Sequence, residues 1–287
     1  MTKPPLAAIL AAATVLAGCA NAPTPEDVVA AERAFAADGY ARGVKKSFLA
    51  FSAPDAVFFS PAPVNAHEAL SGAPDEDPAN PRPRLVWWPL YAGMAQSGDL
   101  GFTTGPFAIE DDRRGHYFTV WRKQPDGSWK WVLDAGVGAD AAAEAPPGSP
   151  AAFLKGGARR SASPAAAMSE VAEAEKALAA AALSDLRSAY APFLDADSRL
   201  HSDGPPPSKS DGGRDAQFDA RPRTLEFRPL GGGSSNAGDF AWTYGEGRWR
   251  EGGADRIGWY ARIWIKRSRG WRLVFDEFIP PPPATAQ

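Results

Sequence analysis

Two aspartates and three histidines are the side chains of this sequence best suited to moving a proton. Asp134 and Asp276 stand late in two similar strand-like segments, and His67 opens a short helical stretch. A carboxyl or imidazole held in a cavity acts as general acid or base when its surroundings bring its pKa near neutrality. For the two aspartates a second role stands beside that one, pairing with a nearby Arg or Lys. For His67 the alternative is helix capping or plain exposure. His116 precedes an apolar alternation, but the matching place in the second segment is Trp259. Asp99 and Asp239 follow Gly98 and Gly238 and read as turn residues. The chain has no H-x-x-x-H pair, clustered carboxylate loop, glycine-rich phosphate loop or G-x-S-x-G. Metal, nucleotide and serine-hydrolase chemistry therefore have no motif to rest on, and neither metal nor cofactor is expected.

Strand alternation offers walls for a site. Leu85, Trp87, Leu100, Phe102, Thr104, Tyr117, Thr119 and Trp121 are expected on one face, with Leu225, Phe227, Phe240, Trp242, Tyr244, Tyr260, Arg262 and Trp264 as the second set. Such faces line a pocket for a flat apolar ligand, or they form solid core. The ligand-lining candidates are Trp87, Phe102, Thr104, Tyr117 and Trp121, with Trp242, Tyr244, Tyr260 and Trp264.

The elements that must position these residues occur twice. Leu85 to Pro106 lies over Leu225 to Glu246 without a gap, with eight identities in 22 positions. Gly115, Tyr117, Trp121 and Lys123 match Gly258, Tyr260, Trp264 and Lys266, and Trp129, Val132 and Asp134 match Trp271, Val274 and Asp276. The blocks keep their order, so the chain is a tandem duplication. Each copy opens with a helix. Thr24-Pro25-Glu26-Asp27 starts the first, and Ser169 caps the second, whose Val171, Ala174, Leu178, Ala182 and Leu186 recur at helical spacing. Strands follow at 56–60, 85–91, 99–107, 115–123 and 129–137, then at 198–202, 224–230, 239–248, 257–267 and 271–278. The expected division is residues 24–138 and 169–279, joined by an Ala/Pro/Gly-rich flexible linker at 139–168 and ending in a tail at 280–287. A helix followed by long adjacent strands indicates α+β, with the helix packed on a curved antiparallel sheet.

Phe51 to Phe59, His67-Glu68-Ala69-Leu70, Ser97 to Gly105, Gly115 to Lys123 and Asp126 to Lys130 together resemble the nuclear transport factor 2-like superfamily, in its SnoaL-like branch. The first copy matches along its length. The second matches in its helix and last three strands and departs between His201 and Arg223, where Pro205–Gly213 replaces the short helix. The resemblance implies two cones, each a bent sheet wrapping a long helix with a cavity at one end. It leaves chemistry open. Aromatic faces without a matching acid–base set favour binding of a small apolar molecule or a partner. The alternatives are a cyclase, dehydratase or isomerase using Asp134 or His67, with Asp276 as the second carboxyl, or a purely structural scaffold.

At the front, a basic start and an apolar run from Leu6 to Leu16 lead to Leu16-Ala17-Gly18-Cys19. This reads as a secretory signal over residues 1–18, too short to span a bilayer. The last four residues resemble the bacterial lipobox, which implies a lipid on Cys19, an envelope location, and the outer membrane facing the periplasm. An ordinary signal peptide with Cys19 left free is the alternative. Cys19 is the only cysteine, so no disulfide is available within the chain. The net charge of −3 comes without a long basic run, which speaks against nucleic acid.

The faces opposite the aromatic set carry Val86, Trp88, Phe118, Val120 and Val132 in one copy and Trp259, Ala261, Ile263, Ile265 and Val274 in the other. That is too much apolar surface to leave in water. The expected arrangement is an internal pseudo-dimer in a monomeric chain.

Overall fold

The computed structural model describes residues 22–75, 79, 82–156, 159–208 and 211–281. Cys19, the segment 1–18 and residues 282–287 of the expected tail lie outside the described residues.

The first half runs α1 (Pro25–Arg42), α2 (Val44–Phe51), β1 (Ser52–Phe59), β2 (Pro63–Asn65), α3 (Ala66–Gly72), β3 (Leu85–Trp87), β4 (Tyr91–Met94), β5 (Leu100–Ile109), β6 (Asp112–Lys123), β7 (Trp129–Gly138) and β8 (Ala152–Phe153). The second runs α4 (Pro164–Ala182), α5 (Leu186–Tyr190), β9 (Leu194–His201), α6 (Asp211–Asp219), β10 (Glu226–Ser234), β11 (Phe240–Glu251), β12 (Ala254–Arg267) and β13 (Gly270–Ile279). The two sheets have the orders β2-β1-β7-β6-β5-β4-β8, with β3 also on β5, and β10-β11-β12-β13-β9. Both are antiparallel through their centres. Each takes in its first long strand parallel to its last, β1 on β7 and β9 on β13. This is the α+β architecture of two cones, a helix pair packed in the curve of each sheet.

The first helix begins as its sequence demands. Thr24 N–H donates to the Asp27 carboxylate at 2.8 Å, and Pro25 fills the first turn, where its missing N–H leaves no bond unmade. The second helix differs from expectation. It starts at Pro164, capped by Ser163, whose hydroxyl accepts from Ala166 N–H at 3.1 Å. Ser163-Pro164 followed by three alanines is a stronger start than Ser169, which lies inside the helix and bonds back to the Ala165 carbonyl. A short helix also survives in the second copy. It is α6, displaced downstream of the proline run that was expected to replace it.

The described residues of the segment 139–168 are not a free coil. Ala152 and Leu154 donate to carbonyls flanking and within β4, Asp140 N–H donates to Gly204 O, and Arg113 binds the carbonyls of Ala141, Ala142 and Glu144. Trp88, expected at the contact between the copies, instead donates its indole N–H to Ala145 O at 2.9 Å. Backbone acceptors and a buried Leu154 fix what composition alone reads as flexible.

The two sheets dock face to face. Phe118 stacks on Phe275 at 4.1 Å between ring centroids, and Phe102 lies against Phe240 at 6.1 Å and Phe275 at 5.9 Å. Val120, Ala261, Ile263 and Ile265 are buried beside them. The contact is reciprocal. Gln96 N–H donates to Asp239 at 3.1 Å, and Asn236 N–H donates to Asp99 at 3.0 Å. These are equivalent positions exchanging bonds across a pseudo-two-fold, as in an isologous dimer. Gly98 and Gly238, at φ 67° and 64°, make the turns that present the two aspartates. The aspartates therefore hold the halves together as well as closing their turns.

Docking also corrects the face assignment. In β5, Thr103 pairs with Thr119 and points into the cone, so Phe102 and Thr104 point outward. In β11, Thr243 pairs with Arg262, so Phe240, Trp242 and Tyr244 point outward. Phe102 and Phe240 enter the contact between the halves. Tyr244 meets Phe59 of the first copy at 6.3 Å, with Trp242 stacked on it. Alternation sorts residues within a strand, but matching two strands needs their register, and β5 is buried on both faces from Leu100 to Pro106.

Candidate ligand-binding site

A glutamate from the first helix stands at the heart of each cone. Glu32 is buried and accepts from Trp87 Nε1 at 2.6 Å, Trp121 Nε1 at 2.9 Å and the Thr103 hydroxyl. Glu175 accepts from Thr243 at 2.6 Å, Trp264 Nε1 at 3.0 Å and Arg262. The Glu–Thr–Trp set is thus built twice and ties helix to sheet. Burial raises the Glu32 pKa against the pull of its hydrogen-bond donors. Trp121 and Trp264, expected as pocket walls, are the fully buried donors of these sets.

The cones diverge around their aspartates. In the second, Asp276 accepts from Arg262 Nε at 2.8 Å, from Tyr190 Oη at 2.9 Å and from Arg221. Burial pushes its carboxyl up, but Arg221 and Arg262 outweigh that and hold it below the usual range. Arg262 itself lies 3.9 Å from the Tyr260 ring centroid and 4.3 Å from that of Phe227. A guanidinium and its partners fill the interior of this cone.

The first cone keeps a space. A cavity of about 210 Å³ is walled by Phe35, Phe48, Phe58, Phe59, Leu85, Trp87, Phe107, Tyr117, Asp134, Ala135 and Gly136. Asp134 accepts from the Thr119 hydroxyl at 2.7 Å. Burial pushes its pKa up to about 8; the Thr119 bond opposes this and the nearby Glu32 adds to it. Tyr117 Oη is also buried and has no hydrogen-bond partner among the described residues. An apolar chamber with a protonated carboxyl and an unmatched phenol suits a ligand that offers one polar group. An engineered apolar cavity of about 150 Å³ accepts benzene, so this chamber is sized for a single substituted ring. A larger groove of about 450 Å³ on the second half is lined by Arg228, Arg248 and Arg256, whose charges Glu226, Glu246 and Glu251 already meet.

Of the expected site residues, Trp87, Tyr117 and Asp134 come together on this cavity. His67 does not join them: its Nε2 lies 2.9 Å from Ser52 Oγ at the start of β1. His116 lies between the halves, its ring edge-on to His201 at 5.4 Å. Tyr260 and Asp276 surround Arg262. Sequence reasoning missed Glu32 and Glu175, although each stands four residues after a core valine and three before a core Phe35 or Leu178. That spacing marks an inward position.

The raised Asp134 pKa has a consequence for stability. Between about pH 4 and 8 the unfolded chain has lost this proton and the folded chain keeps it, so the group's contribution falls as pH rises. The slope is at most about 1.4 kcal/mol per pH unit and vanishes above the folded pKa. Asp134→Asn should flatten the curve, so that wild type loses more stability than the variant between pH 5 and 8 in urea unfolding. Equal losses would place the Asp134 proton elsewhere.

No family profile and no curated protein matches the sequence. Similar solved structures include an NTF2-like protein of unknown function from Shewanella oneidensis, 15% identical over 39% of this chain and 97% of that one, TM-score 0.33. Another, from Pseudomonas putida, is 13% identical over 43% of this chain and 92% of its own, TM-score 0.36. The association domain of CaMKII from C. elegans is 14% identical over 39% and 94%, TM-score 0.31. These values carry no conclusion about activity.

Proposed function

We propose that the first cone is a binding chamber for one small, ring-bearing molecule and that the second is its filled structural twin. The observation that carries this reading is the contrast at one position. Asp276 is enclosed by Arg221, Arg262 and Tyr190, whereas Asp134 faces an aromatic cavity with Thr119 as its bonded donor. A molecule seated against Trp87 and Tyr117 would complete the hydrogen bonding of Asp134 and exclude water. Saturating ligand at a hundred times its Kd would stabilise the fold by about 2.7 kcal/mol. Thermal unfolding of the full chain with phenol, benzamidine and other single-ring probes is the test. At least one should raise the midpoint by several degrees, and fused three-ring probes should not. No shift with any single-ring probe would refute the reading.

A second reading, proton transfer within the chamber, is favoured by the Asp134 pKa of about 8, near the pH at which a general acid works best. Turnover of a bound molecule that disappears in Asp134→Asn would select it.

The chain is further proposed to be monomeric, its halves satisfying each other, and tethered in the cell envelope by a lipid on Cys19. Leu16-Ala17-Gly18-Cys19 supports the tether, with the outer membrane favoured because Ala20 and Asn21, rather than Asp, follow the cysteine. Labelling with a palmitate analogue should mark the wild type and spare Cys19→Ala.

A further inference from the structure

The second cone holds a template for what the first is shaped to receive. Strand register sets the correspondence. Thr119 pairs with Thr103 on one side and Asp134 on the other, as Arg262 pairs with Thr243 and Asp276. Thr119 therefore stands where Arg262 stands. In the second cone the guanidinium lies 3.9 Å from the Tyr260 ring centroid, 4.3 Å from Phe227 and 5.4 Å from Tyr190, between the carboxylates of Glu175 and Asp276. Each of these walls has its counterpart in the first cone. Tyr117 stands for Tyr260, Trp87 for Phe227, Phe48 for Tyr190, Glu32 for Glu175 and Asp134 for Asp276. What the first cone lacks is the guanidinium, and it holds a cavity bounded by Trp87, Tyr117, Phe48 and Asp134, counterparts of residues that surround Arg262.

Building on the reading of this cone as a binding chamber, we propose that its ligand is a small organic cation, a guanidinium, amidinium or ammonium group carried on a single apolar ring. Aromatic faces attract a desolvated cation, indole most strongly. Replacing Phe227 by Trp87 improves that face. It also supplies Glu32 with the donor that Arg262 gives Glu175, so the helix anchor survives without an internal arginine. Asp134 remains as the carboxyl to pair with an incoming charge. An anionic ligand would meet Asp134, with the Glu32 carboxyl close behind it, and a neutral one would leave the Asp134 charge unused. Among the described residues, the other ionisable groups facing Asp134 are Glu32 from α1, Tyr117 from β6 and Glu277 from β13, and none of these supplies a cation.

Calorimetry on the full chain with benzamidine and with benzamide tests the charge directly, because the two share size and ring and differ in the cation. At pH 8.5 benzamidine should bind at least tenfold more tightly. Its affinity should fall as pH drops below about 8, approaching tenfold per unit as Asp134 takes up its proton, while benzamide stays level. Thr119→Arg, the side chain the second cone already accommodates, should abolish benzamidine binding and leave far-UV circular dichroism and the urea transition cooperative. Equal binding of the two probes would overturn the cation proposal and leave the chamber standing. Binding of neither would overturn both. Benzamidine binding that persists in a folded Thr119→Arg variant would place the site outside this cone and overturn the proposal.

Discussion

Replacing Arg262 with methionine should lower the stability of the chain by about 3–5 kcal/mol, the usual result of removing one partner from a buried ionic cluster. Arg262 is fully buried and binds Glu175, Asp276 and the Tyr190 hydroxyl. Methionine fills much of its volume and leaves Arg221 as the one cation against Asp276. Glu175 loses its counter-charge outright. The loss should shrink as pH falls through the carboxylate range, since protonation relieves the unpaired charges. Urea unfolding at pH 7 and pH 5 measures both effects. The same substitution at Thr119, its structural equivalent, breaks a single hydrogen bond to Asp134 and no ion pair, and should cost far less. A loss under 1 kcal/mol at Arg262 would mean that the cluster is not formed as described.

Truncating Phe118 to alanine should cost about 3–5 kcal/mol as well, for a different reason. The ring is buried on the outer face of the first sheet, stacked 4.1 Å from Phe275 and 6.1 Å from Phe102. If the halves were independent cones joined by a loose tether, that face would be wet and the substitution nearly neutral. In a docked pair it opens a cavity at the centre of the contact. A double-mutant cycle with Phe275→Ala should show a coupling of about 0.5–1.5 kcal/mol, the extra worth of an aromatic pair. Additive losses would show that the rings do not meet.

Much of the fold was legible because it was written twice. The repeat showed that helix and sheet recur, and the bare opposite faces showed that the copies must cover each other. Position within the sheet was harder to read. Phe102, Thr104, Trp242 and Tyr244 alternate as expected along their strands, yet the register puts them on the outer face. A strand buried on both sides shows no exposed face to betray its parity, and the adjacent Thr103 and Thr104 put a hydroxyl on each face. The stretch 139–156 was misread for a related reason: its order comes from carbonyls meeting Arg113 and Trp88, which composition does not record. The paired aspartates were found, but not their unlike surroundings. Those depend on Arg221, which lies in the part of the second copy that has no match in the first, and on Arg262, which stands where the first copy has Thr119.

Intermolecular NOEs from phenol bound to the full chain give the most direct reading of the open cone against the filled one. Phenol protons should contact the rings of Phe35, Trp87 and Tyr117 at a stoichiometry of one per chain, with no contact to Phe227 or Tyr260. Contacts to the second cone, or two molecules bound in equivalent places, would contradict the assignment of the chamber to the first cone alone.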